Sequence, residues 1–136
     1  MLSFVFYYTS LGKSYCTLPK VHDHSIEYIQ YCCLNVIKNS SIFFSLDVEG
    51  SELQILQTIP FDRVDIKIID VEHKHLGRIF PGSFQELHEL MEVNGYDFLV
   101  ETKDPFGYPN DVIYVKKGYI EELDELSNSK LSQCEL

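Results

Sequence analysis

With 136 residues, 45% of them apolar and 13% aromatic, the chain has material for one hydrophobic core and reads as folded rather than disordered. A formal net charge of −10 leaves no basic stripe to displace counterions from a phosphate backbone. That balance argues against nucleic acid as a partner and, equally, against adsorption to an anionic membrane surface.

Leu2 to Thr9, rich in Phe, Tyr and Val, reads as a strand. It lacks the basic start of a secretory signal and is too short to cross a bilayer, so no direct membrane insertion is expected. Leu11 to Lys20 carries Gly12, Ser14 and Pro19 and reads as a loop. From Asp23 the pattern turns helical. Ile26, Ile29, Cys33, Val36 and Ile37 recur at helical spacing, with Asp23 or Ser25 as N-cap and Asn39 to Ser41 as the end. Cys16, Cys32, Cys33 and Cys134 form neither a CxxC pair nor zinc-type spacing and are expected to be reduced thiols.

Ile42, Phe43, Phe44 and Leu46 form a nearly continuous apolar run, as in a strand buried on both faces of a parallel sheet. The run ends in Asp47 and Glu49, followed by Gly50. Leu53, Ile55, Leu56 and Ile59 then mark a short helix stopped before Pro60. The design repeats where Ile66, Ile68, Ile69 and Val71 lead into Glu72, His73 and His75. Two parallel strands joined by a helix make a βαβ unit with both carboxyl ends on one rim, roughly 5 Å apart if the strands are neighbours. Ligands of open α/β sheets bind at that rim.

Ser83 and Glu86 form a capping box for a helix whose apolar face is Phe84, Leu87, Leu90 and Met91, with Gly95 as its stop. Tyr96 to Val100 and Val112 to Val115 read as an antiparallel hairpin around Pro105, Gly107 and Pro109. From Tyr119 the chain is acidic (Glu121, Glu122, Asp124, Glu125) and reads as a short helix fraying into a disordered end.

The runs D-V-E-G-S-E, T-I-P-F-D-R-V-D-I-K and V-E-H-K-H-L-G-R-I-F-P-G-S, in that order, resemble the C-terminal half of an FkbM-type methyltransferase domain, nearest the animal subgroup that includes insect Star-type proteins. The resemblance extends from about Val21 to Lys117, and its specific core is Ser45 to Ser83. It implies a partial class I methyltransferase fold: a three-layer, Rossmann-like α/β sandwich with a mainly parallel sheet and a C-terminal antiparallel hairpin. The organisation expected is an N-terminal strand and loop over residues 1–20 covering a sheet edge, the FkbM-like domain without its first half over 21–118, and an acidic tail over 119–136. Resemblance also implies S-adenosylmethionine as cofactor and places Asp47 and Glu72 at the catalytic rim. No Gly-x-Gly stands upstream of Asp47, where Gly12 is alone, so the residues that would hold the cofactor are not identified and weak binding is expected. Lys74 occupies a position where members often carry Asn.

Asp47, Glu49 and Glu72 are the candidate catalytic acids. A carboxylate at a strand tip can orient a nucleophile or accept its proton, or it can simply cap the following helix. Glu52, His73 and His75 are candidates for substrate binding, although Glu52 equally suits a helix start and alternation sends Glu72 and His73 to opposite faces. Asp47, Glu72 and one histidine have the ligand chemistry for a divalent metal, but the spacing is not diagnostic and no metal is expected. His22, His24 and His88 read as surface residues. Two functions follow from the resemblance: methyl transfer to an unidentified oxygen or nitrogen acceptor, or a non-catalytic Star-like module in secretory-pathway trafficking of membrane cargo. The location expected is cytoplasmic on the first reading and membrane-associated on the second. An uncovered edge beside the Ile42 strand would make the chain self-associate.

Overall fold

The computed structural model describes residues 3–9, 12–18 and 41–133, with side-chain surroundings for 42–126. The helix expected from Asp23, the histidines His22 and His24, and Cys32, Cys33 and Cys134 lie outside the described residues. The strands are β1 (Ser3–Thr9), β2 (Gly12–Leu18), β3 (Ser41–Asp47), β4 (Ile66–Glu72), β5 (Tyr96–Lys103) and β6 (Pro109–Lys116). The helices are α1 (Glu52–Leu56), α2 (Phe84–Val93) and α3 (Tyr119–Gln133). One sheet holds all six strands in the order β2-β1-β3-β4-β6-β5.

The fold is α/β, but the sheet is mixed rather than mainly parallel. Among the described strands only β3 and β4 pair in parallel. The cause is interposition. β2, β3, β4 and β5 all run the same way, but β1 lies between β2 and β3 and β6 lies between β4 and β5, both reversed. The expected C-terminal hairpin forms, with its second strand docked on β4.

The segment read as a loop from Leu11 to Lys20 is largely strand. β2 pairs with β1 in register from Thr9↔Gly12 to Ser3↔Leu18. Gly12 opens that strand and Pro19 falls just past it, so two of the breakers flank the strand instead of interrupting it. The acidic tail likewise forms a helix that continues to Gln133, longer than the short helix expected. Among the described residues no helix is long and apolar enough to cross a membrane.

Alternation along β3 and β4 divides the sheet into two unlike faces. Phe44, Leu46, Ile69, Val71, Val112 and Tyr114 are fully buried on one of them. α1 adds Leu53, Ile55 and Leu56 to that core, and α2 adds Leu87 and Met91. The helix α2 starts where its capping residues dictate: the Ser83 hydroxyl accepts from the Glu86 backbone N–H at 3.2 Å and donates to the Glu86 carboxylate at 3.0 Å. On the other face Phe43, Ser45, Ile68 and Asp70 are half-buried, and Ser45 Oγ donates to Asp70 Oδ2 at 2.9 Å.

β1 occupies the second edge of β3, pairing from Phe4↔Asp47 to Tyr8↔Phe43. Removing it would expose a hydrophobic strand edge in the middle of the sheet, a template for association with another chain. Deletion of residues 1–10 is therefore expected to convert the protein to larger assemblies in size-exclusion chromatography with light scattering. A truncated chain that elutes as a soluble monomer would show that the edge is covered in another way.

An acidic rim as the candidate functional site

β3 and β4 end side by side. Their parallel register puts Leu46 opposite Val71, so Asp47 and Glu72 come one step later on the same face of the sheet. The two carboxyl groups approach closely enough to hydrogen-bond once one of them carries a proton. On the far side of β4, β6 sets Asp111 opposite Glu72.

The chain leaves β3 through a tight turn. Glu49 has φ 57° and Gly50 φ 109°, both in the region that favours glycine. A Cβ on Gly50 would stand 3.0 Å from the backbone oxygen of His75, so the missing side chain lets the loop after β3 lie against the loop after β4. The closure brings Glu49 Oε2 within 3.5 Å of His75 Nε2. It also turns Glu52 back onto its own loop, where Oε1 accepts from the N–H groups of Val48 at 3.0 Å and Gly50 at 3.1 Å. Ser51 Oγ closes the turn by donating to the Val48 carbonyl at 3.1 Å. Glu52 thus has a local role that its place at the start of α1 only half foretold.

The electrostatics follow from crowding acids out of water. Burial, and then the charges of Asp47, Glu49 and Glu52, push Glu72 up to about 7. Burial and neighbouring Glu49 raise Asp47. For Glu52, burial outweighs its backbone hydrogen bonds and the net direction is also upward. Asp70 on the same face is raised chiefly by burial. Lys74 gives only partial relief, with Nζ 3.7 Å from Glu72 Oε1. Asp47 Oδ1, Glu52 Oε2 and Glu72 Oε2 are buried without a hydrogen-bond partner.

Five of the candidate residues therefore converge: Asp47, Glu49, Glu52, Glu72 and His75. His73 does not join them. Its ring packs on Phe84 at the start of α2, centroids 4.7 Å apart, and Nε2 lies 3.2 Å from Glu101 Oε1 without the alignment of a hydrogen bond. Burial lowers the His73 pKa, which favours a neutral ring. His88 is a correction to the surface reading. It is half-buried within about 6 Å of the rings of Phe84, Phe98 and Tyr114 because α2 lays it over the β5–β6 pair.

Beside the rim a groove of about 540 Å³ is lined by His73, Lys74, Arg78, Asp104, Tyr108 and Pro109. Asp104 shapes its far wall, Oδ1 accepting from the N–H groups of Phe106 at 2.9 Å and Tyr108 at 3.0 Å. Asp111 beside Glu72 and Glu101 beside His73 were not foreseen. Alternation backwards from Val112 marks Asp111 as facing away from the core, but nothing local says which strand it will neighbour.

Residues 20–98 match the family described as the Methyltransferase FkbM domain. The matched stretch contains β3, α1, β4 and α2, hence the whole acidic cluster except Asp111. The match is to the domain family and does not single out a Star-type subgroup. No curated protein and no solved structure matches the chain.

Proposed function

The chain belongs to the FkbM methyltransferase domain family, and on that premise we propose that its acidic rim is the acceptor side of a methyl-transfer site. The observation that carries this reading is the pair Asp47–Glu72, two half- to fully buried carboxyl groups on adjacent strand tips next to an open groove. The acceptor's O–H or N–H would lie against that pair, which would orient it and take its proton on a carboxylate oxygen; the methyl group and its thioether leaving group would come from the donor. A base works best with a pKa near the working pH, and Glu72 at about 7 is suitably placed.

S-adenosylmethionine is the methyl donor the family implies, and the described residues do not fit it. No Gly-x-Gly precedes Asp47, and the rim glycines are already committed to packing, Gly50 against the His75 carbonyl and Gly82 against Leu53. The residues described therefore account for the acceptor and the proton alone. The family resemblance also admits a second reading, a non-catalytic interaction module.

Calorimetric titration with S-adenosylmethionine should show no saturable binding in the micromolar range; micromolar affinity would contradict this division of the site. At millimolar donor, a panel of hydroxyl and amine acceptors should give acceptor-dependent release of S-adenosylhomocysteine. Release no greater than the protein-free blank across the panel would overturn the enzymatic reading in favour of the interaction module.

A further inference from the structure

We propose that Asp47, Glu52 and Glu72 form a binding site for one hard divalent cation of the Mg²⁺, Mn²⁺ or Ca²⁺ class. One ligand atom from each residue lies within 4.8 Å of the other two. Two ligands on opposite sides of such an ion stand about 4 Å apart for Mg²⁺ and about 5 Å apart for Ca²⁺, so the spacing admits a shared ion.

Partnering decides against a merely crowded surface. Glu52 is 0% exposed and Glu72 8% exposed, yet each keeps one buried oxygen, Oε2, with no donor. Asp47 Oδ1 is in the same condition. Burying an anionic oxygen without a partner is costly, more so when other anions are adjacent. A proton shared between Asp47 and Glu72 would satisfy those two groups, but it would leave Glu52 Oε2 bare. A cation ligated through these three oxygens would satisfy all of them. Glu52 is also held in place for the purpose: its other oxygen is fixed by the Val48 and Gly50 N–H groups, the kind of support that orients a metal ligand. Among the described residues, the cation paired with these acids, Lys74, approaches the other oxygen of Glu72.

Glu49, Glu72 and His75 form a second triad within the same spacing limit, sharing Glu72 with the first. Glu49 and His75 thus stand beside the ion on the loop side. Three carboxylates in the primary set favour oxygen-seeking ions over those that prefer imidazole or thiolate. The proposal rests on this geometry and not on the methyl-transfer reading. A bound ion would hold Glu72 ionised, so the two readings describe different states of the rim; ion binding is read without turnover, and the two ideas fail separately.

The full chain, stripped with chelator and dialysed, is titrated with MnCl₂ by calorimetry and by loss of the free Mn²⁺ electron-spin signal. One saturable ion per chain is expected. Glu72→Gln and Glu52→Gln should each weaken it at least about tenfold. The Glu52→Gln amide oxygen can still accept from Val48 and Gly50, so the loop keeps its anchor. In the unmodified chain, Mn²⁺ should broaden the amide resonances of Val48 and Gly50 before those of Glu121 to Glu125 in α3. No saturable binding, affinity unchanged by both substitutions, or broadening centred on α3 would each overturn the proposal. The NMR result stands even if a variant fails to fold.

Discussion

Leu46→Ala is expected to destabilise the chain by about 2–5 kcal/mol, the usual range when a buried leucine is cut back to alanine. Leu46 is 0% exposed and lies opposite Val71 in the parallel register, inside the cluster formed by Phe44, Ile69, Val112 and Tyr114. β3 is bounded by β1 on one side and β4 on the other, so neither neighbour can move into the vacated volume without breaking a ladder. Domains of this size have about 5–15 kcal/mol in total, so the change removes a large fraction of it. Urea unfolding followed by far-UV circular dichroism measures the loss. A shift below about 1 kcal/mol would mean that this face of β3 is not the core.

Local patterns made the centre of the fold readable before any coordinates. The apolar runs Ile42 to Leu46 and Ile66 to Val71, the Pro60 stop and the Ser83–Glu86 cap each depend on residues a few positions apart, and each element forms where those residues stand. Pairing partners were less accessible. Whether β6 or β5 docks on β4 is decided by which hairpin strand best buries its face, and Tyr114 and Val112 settle that only once packed against Ile69 and Val71. The parallel expectation failed for this reason: an N-terminal strand was expected over the edge beside β3 and does lie there, but its reversed direction and the interposition of β6 between β4 and β5 were not legible. At the site, alternation correctly separated His73 from Glu72. It gave no sign that Glu52 would turn back to clamp Val48 and Gly50, because that depends on the left-handed backbone of Glu49 and Gly50. Asp111 reached the rim, and Glu101 reached His73, through register, which single-strand patterns do not encode.

One position after Leu46 the expectation reverses. Asp47→Asn should lower acceptor-dependent methyl transfer by about 100-fold or more, the scale of losing a positioned proton acceptor, and should leave folding intact. Asp47 points away from the core, and its Oδ1 has no hydrogen bond to lose. Removing its charge also relieves Glu72, whose pKa is raised first by burial and next by Asp47. The sign of the effect on stability follows. Glu72 titrates near 4.5 in the unfolded chain and at about 7 in the folded one, so between those values the folded state holds the extra proton. In ion-free buffer the wild type should therefore lose stability as pH rises through that window, on the order of 3 kcal/mol from this group. The variant should lose less, because its folded Glu72 ionises at lower pH. Thermal melts in chelator across the window, alongside turnover at fixed pH, separate the two roles of Asp47. Superimposable melting profiles for variant and wild type would show that Asp47 and Glu72 are not coupled. A collapsed melting temperature would make Asp47 a structural residue, and unchanged turnover would remove it from the proton path.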